Sequence, residues 1–136
     1  MFWMAIALAF WTRVTAMTSP LLIVAIQTGS TTSASQEYIE IANVSGGNID
    51  LNTVKLEYFS ADPKSMTTPS RTIRLQGSLA AGQSYLVASN GYLNDRADGA
   101  FSATLAAAGG HLRLSGAAEY DLVGWGTATH PGGTAA

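Results

Sequence analysis

The chain has 136 residues, enough for one domain with a buried core and too few for two of ordinary size. Its 7 basic and 9 acidic residues leave a formal charge of -2, which excludes a broad phosphate-binding face built from accumulated Lys and Arg. No cysteine is present, so disulfide staples, thiolate metal ligands and thiol nucleophiles are excluded together.

Phe2 to Thr12 is an uncharged, mostly apolar run that ends at Arg13. A helix needs about twenty apolar residues to cross a bilayer, so this run is too short to span one. It suits the apolar stretch of a secretory leader, and Val14-Thr15-Ala16 supplies the small residues that a signal peptidase requires. The expectation is a leader over residues 1–16, cleaved after Ala16. It is followed by a folded unit over 20–126 and a flexible tail or linker over 127–136.

Beyond Pro20 the chain reads as short strands separated by turn chemistry. Leu21 to Gln27 is a β-branched apolar run, and Gly29 to Ser35 a loop of small polar residues. In Gln36 to Asn43, period two places Glu37, Ile39 and Ile41 on one face, with Tyr38, Glu40 and Ala42 on the other. Burial of Ile39 and Ile41 then directs Glu40 to solvent. Ser45-Gly46-Gly47-Asn48 reads as a turn using the positive φ open to glycine, with Ile49 and Leu51 as apolar plugs around Asp50. Val54 to Ser60 is a third strand with Val54, Leu56 and Tyr58 on one face. Pro63 and Pro69 mark the next stretch as a loop.

Arg71 to Leu75 turns Ile73 and Leu75 inward. A turn at Ala80-Ala81-Gly82-Gln83 leads to an apolar strand, Ser84 to Ser89, in which Leu86 is expected to be buried. Asn90-Gly91 is a reversal signal. Phe101 to Leu105 supplies a further short strand or an irregular plug. After Gly109-Gly110, taken as a turn, Leu112 and Leu114 alternate with His111 and Arg113, which are expected to face the surface. Gly116-Ala117 then joins this strand to Tyr120 to Val123 as a hairpin. Beyond Trp125 no periodicity remains. Short strands at this spacing, with no amphipathic helix of twelve residues in the body, indicate a β-sandwich or small barrel.

Catalytic chemistry finds little support. A serine-type triad could draw on His111, Asp121 and a serine, yet no nucleophile elbow occurs, and His130 lies in a Pro/Gly-rich stretch. Glu37, Glu40, Glu57 and Asp121 are carboxylates on strands without a spacing that pairs them for glycosidic work. Asn94 to Gly99 has the oxygen donors of a calcium loop. Arg96 takes the place of a ligand, however, and no distal bidentate Glu follows. Arg71, Arg74 and Arg113 with Tyr85 and Tyr92 are too few for a nucleic-acid groove. Tyr58, Tyr85, Tyr92 and Trp125 would form a sugar platform if exposed. Asn43-Val44-Ser45 matches a glycosylation sequon. No catalytic, cofactor or metal residues are assigned on these grounds.

Several of these segments together resemble the lamin tail domain (LTD) family in its bacterial form. The run Gln36-Glu37-Tyr38-Ile39-Glu40-Ile41-Ala42-Asn43 is similar to that family's hallmark strand. Ile49-Asp50-Leu51 with Val54-Lys55-Leu56, Leu79 to Ala88, and Tyr120 to Gly126 are similar to its later elements, in the same order. The resemblance covers about Leu22 to Gly126. Four positions depart from the usual pattern: Ala25 stands for a frequent Glu, Val44 for Pro, and Thr53-Val54 for Gly-Trp.

The resemblance implies an immunoglobulin-like β-sandwich of about seven to nine short strands, used as a non-catalytic interaction or scaffolding module. It also implies a secreted or envelope location and envelope or extracellular proteins as partners. Polysaccharide binding is the alternative, and a small hydrolase the weakest reading. Asn43 as a turn cap, Asp50 as an acceptor in the next turn and Trp125 as a core plug are the expected structural roles. The nuclear role of the animal relatives is not transferred, because no heptad rod, basic tail or nuclear-localisation-like run occurs.

Overall fold

The computed structural model describes residues 19–130, and all regular structure within them is β-strand. Among these residues there are ten strands: β1 Leu21–Thr28, β2 Glu37–Asn43, β3 Ile49–Asp50, β4 Lys55–Ser60, β5 Arg71–Arg74, β6 Ser78–Leu79, β7 Ser84–Ser89, β8 Gly99–Phe101, β9 Gly109–Ser115 and β10 Glu119–Gly126. They make two four-stranded sheets, ordered β1-β2-β7-β8 and β10-β9-β4-β5, and a two-stranded ribbon, β3-β6. The ribbon takes the count past the expected range, because strands of two residues leave no period-two signal to read. The proposed leader over 1–16, and residues 131–136 of the tail, lie outside the described residues.

Alternation decides which side chains meet. Along β2, Glu37, Ile39, Ile41 and Asn43 are buried, whereas Tyr38, Glu40 and Ala42 are half-buried on the opposite face. Leu56 and Tyr58 of β4, Leu112 and Leu114 of β9, and Val87 of β7 join Ile39 and Ile41 in one apolar cluster fed by both sheets. Leu51, Phe101, Leu105 and Trp125 complete it, so the plugs expected at Leu51 and at Phe101 to Leu105 are in place. β8 runs parallel to β7, which obliges Asn90 to Asp98 to travel back along the sheet as a crossing loop.

Four expectations need correction. Leu86 is half-buried on the outer face, because the inward residues of β7 are Tyr85 and Val87; an all-apolar strand offers both phases of the alternation. Gly109 and Gly110 lie within β9. A Cβ on Gly110 would stand 2.7 Å from Trp125 Cζ2 and 2.9 Å from Tyr58 Cε1, so the glycine is required by close approach of two rings. The Gly46-Gly47 turn does not use positive φ. It is held instead by the Asn43 amide donating to the carbonyls of Gly47 and Leu79 at 2.8 and 2.9 Å.

The fourth correction concerns His111. It points away from the Leu112 and Leu114 face as expected, yet its exposure is 0%. The chain after β10 doubles back over it. The His130 N–H donates to His111 Nε2 at 2.9 Å, and the Thr129 N–H donates to the Ala61 carbonyl at 2.9 Å. Residues 127–130 are therefore bonded to the body.

Candidate functional site

The carboxylates sort themselves by partner. Glu37, buried within the sheet, accepts the backbone N–H groups of Thr104 (2.8 Å) and Leu105 (3.1 Å), and so secures the strand-free segment after β8. Glu57 accepts from Arg113 Nε at 2.9 Å and from the Ser115 hydroxyl at 3.0 Å, and Lys55 Nζ lies 3.7 Å away. Burial pushes its carboxyl up, but the hydrogen bonds from Arg113 and Ser115 and the two positive charges outweigh this and hold it below its ordinary value. Asp121 accepts the Ile23 N–H and its neighbour Leu122 N–H, both at 2.9 Å. Glu40 alone of the four has no hydrogen-bond or ion-pair partner among the described residues.

The remaining chemical candidates are similarly accounted for. His111 Nδ1 faces the Ser60 carbonyl at 2.8 Å, which can only accept. The His130 N–H at Nε2 can only donate, so these contacts place the ring proton on Nδ1. Both nitrogens are occupied by backbone, and Asp121 is engaged elsewhere; no triad assembles around them. Tyr58, Tyr85 and Trp125 are buried, which dismantles the four-residue sugar platform and leaves Tyr92 half-exposed. Burial and the neighbouring Asp98 push the Tyr85 hydroxyl above its ordinary value, against a backbone hydrogen bond that lowers it.

Arg113 lies over the Phe59 ring at 4.8 Å, while Arg71 and Arg74 sit on β5; Tyr85 belongs to β7 of the other sheet and Tyr92 to the loop after it. In the Asn94 to Gly99 loop, Asp98 Oδ2 accepts the Leu86 N–H at 2.8 Å, and its own N–H donates to the Leu86 carbonyl at 2.7 Å. Among the described residues no three His, Asp or Glu side chains are grouped to share a metal ion. The Asn43 sequon is unavailable in the folded state, since its side chain is 1% exposed and fully hydrogen-bonded.

The structure does assemble a cavity of about 420 Å³ on the outer face of the β1-β2-β7-β8 sheet, lined by Tyr38, Glu40, Leu86, Tyr92, Leu93 and Arg96. Its floor follows from strand register. Glu40 lies directly across from Leu86, and Tyr38 sits two residues along the same face of β2. Its wall is the crossing loop, bonded at both ends: Asp98 holds Leu86, and Gln27 Nε2 donates to the Tyr92 hydroxyl at 3.1 Å. The Arg96 and Ala97 N–H groups both close on the Leu93 carbonyl at 2.9 Å. Leu93 adopts φ +54°, a left-handed conformation that costs a side-chain-bearing residue roughly 1 kcal/mol or more.

Glu40 and Tyr38 were legible as an outward face. Arg96 signalled only that the loop was a poor calcium site, and nothing local in the sequence places it opposite Glu40. A second, more polar cavity of about 510 Å³ lies beside Gln76, Gln83 and Tyr85; its acid, Asp98, is already engaged by Leu86.

No characterised protein matches the chain in a comparison of sequences. The profile of one family, the Lamin Tail Domain, matches residues 15–127, most of the chain. The chain therefore belongs to the lamin tail domain family and is a non-catalytic module of that type.

Proposed function

We propose that the chain is an extracytoplasmic scaffold module that binds a protein segment at the outer-face cavity. In this proposal the two four-stranded sheets form an immunoglobulin-like β-sandwich, with a cleaved leader over 1–16 and the folded unit over 20–126. The segment over 127–136 is a tail or linker, and its residues 127–130 are bonded to the body. Envelope or extracellular proteins are the partners.

One observation carries the binding site. The cavity combines half-exposed aromatic rings, two leucines and two side chains of opposite charge, while Glu37, Glu57, Asp121 and His111 already have structural partners. The shared apolar cluster of the two sheets supports the sandwich. Family membership supports the module's role, and no helix among the described residues is long and apolar enough to cross a membrane.

Screening the purified chain against peptide and glycan arrays tests the site. A protein-binding module should capture peptides, with capture lost in Tyr92→Ala. Capture of a polysaccharide, lost in the same variant, would replace this function with carbohydrate binding. For export, sequencing the amino terminus of the mature protein should give Met17 as the first residue; an intact Met1 in the cytoplasm would count against a leader.

A further inference from the structure

Glu40 and Arg96 present opposite charges to the same small cavity, yet they are not within ion-pair distance of one another. Neither side chain has any other ion-pair or hydrogen-bond partner among the described residues. On the same face, the β1 residue opposite Glu40 is Ala25, and the β7 residue opposite it is Leu86. The sheet therefore surrounds the carboxylate with small and apolar neighbours. The nearest polar neighbour on β1, Gln27, has its amide engaged by the Gln36 carbonyl at 2.8 Å and the Tyr92 hydroxyl at 3.1 Å.

Two tyrosines, Tyr38 and Tyr92, line the cavity with these charges. An aromatic face attracts a cation, and a carboxylate beside it selects for one that can also donate hydrogen bonds. Arg96 supplies the complementary preference, since a planar guanidinium recognises carboxylates through paired N–H donors. The strained Leu93 gives a further reason to regard the loop as shaped for contact. Its left-handed φ is maintained by the turn that also carries Arg96, and its side chain lines the same cavity.

We propose that this cavity is a receptor for a basic side chain with a carboxylate close beside it, presented by a partner polypeptide, with Glu40 taking the cation and Arg96 the carboxylate. The inference rests on the protein-binding function proposed above and names its ligand. The carboxylate can come from a neighbouring Asp or Glu or from a chain terminus ending in Lys or Arg. A volume of about 420 Å³ accommodates one long side chain and a carboxyl group, not a folded element.

Titration of the isotope-labelled chain with short peptides, followed by backbone amide shifts of residues 86–98, tests the assignment. Four probes suffice: Gly-Gly-Arg-Asp-Gly-Gly with blocked ends, its norleucine-for-Arg version, its Asn-for-Asp version, and Gly-Gly-Gly-Arg with a free carboxylate. The Arg-Asp peptide or the Arg-ended one should bind about tenfold more tightly than the norleucine peptide, in keeping with a charge-assisted contact over an aromatic ring. Whichever of the two binds more tightly identifies the source of the carboxylate.

Glu40→Gln should abolish the preference for Arg over norleucine, and Arg96→Gln the preference for Asp over Asn. Glu40→Gln preserves shape at a half-buried position, Arg96→Gln shortens an exposed side chain, and the amide spectrum of each variant verifies folding. Equal binding of all four peptides would overturn the receptor while leaving protein binding at the cavity intact. Absence of binding by every peptide at millimolar concentration, or unchanged preferences in both variants, would also overturn it. A partner whose capture survives Tyr92→Ala would instead remove the underlying site.

Discussion

Glu57 carries a buried negative charge on the face of β4 that also holds Phe59, with Arg113 bridging the two. Its folded-state carboxyl is held below the ordinary value of 4.5, so the folded chain keeps it ionised where the unfolded chain begins to bind a proton. The contribution to stability is therefore full above the unfolded value and is lost as pH falls through the lower folded one. Denaturant melts from pH 6 to pH 3 should show a decline that is shallower in Glu57→Gln than in the unaltered chain.

At the opposite face, Leu112 is fully enclosed. Leu112→Ala should cost about 2–5 kcal/mol by removing apolar contacts and leaving a cavity, measured by the same melts at neutral pH. His111→Leu removes both polar contacts of the imidazole. The Ser60 carbonyl and the His130 N–H are then left to find water, at a cost of about 1–3 kcal/mol if they stay buried.

Among the elements, the β9-β10 pair shows most clearly what alternation reveals and what it conceals. Leu112 and Leu114 follow period two and were legible. The same rule sent His111 outward, where it met a segment with no periodicity of its own. Cover of this kind depends on residues 127–130 and the Ser60-Ala61 backbone, which no local pattern connects. The face of Glu37 followed from period two, but its partners did not, for a similar reason: Thr104 and Leu105 are far along the chain and offer only backbone N–H groups.

Gly126 ends this pair with φ +59°, and a Cβ there would approach the Ala108 carbonyl oxygen to 2.0 Å. Gly126→Ala meets both the conformational penalty and a backbone clash. It should lower the melting temperature more than Gly46→Ala, whose Cβ would meet nothing within 4 Å. Comparing the two variants by calorimetry separates a glycine needed for its backbone from one that merely occupies a turn.

Across the whole molecule, the all-β class and the main strands could be read from alternation and turn residues, because each strand has one face in a shared core. The cavity could not. It needs Glu40 and Arg96 brought together by a parallel crossing, and sequence proximity is silent about which way a loop returns.

The seam between the sheets has a consequence for solution behaviour. β1 and β10 are eight residues each, and each is hydrogen-bonded along one side only within its own sheet. Both carry a register irregularity, at Ile23/Ala25 and at Glu119/Asp121, and Asp121 reaches across to hold the Ile23 N–H. Bulged, acid-sealed edges are poor templates for another chain. Asp121 thus occupies a backbone amide that edge-to-edge association would use. Asp121→Ala should free the Ile23 amide and increase light scattering on concentration or mild heating, while the unaltered chain under the same conditions scatters less. Removing one carboxylate at this seam should thus convert a closed strand edge into one that can pair with a second copy of the chain.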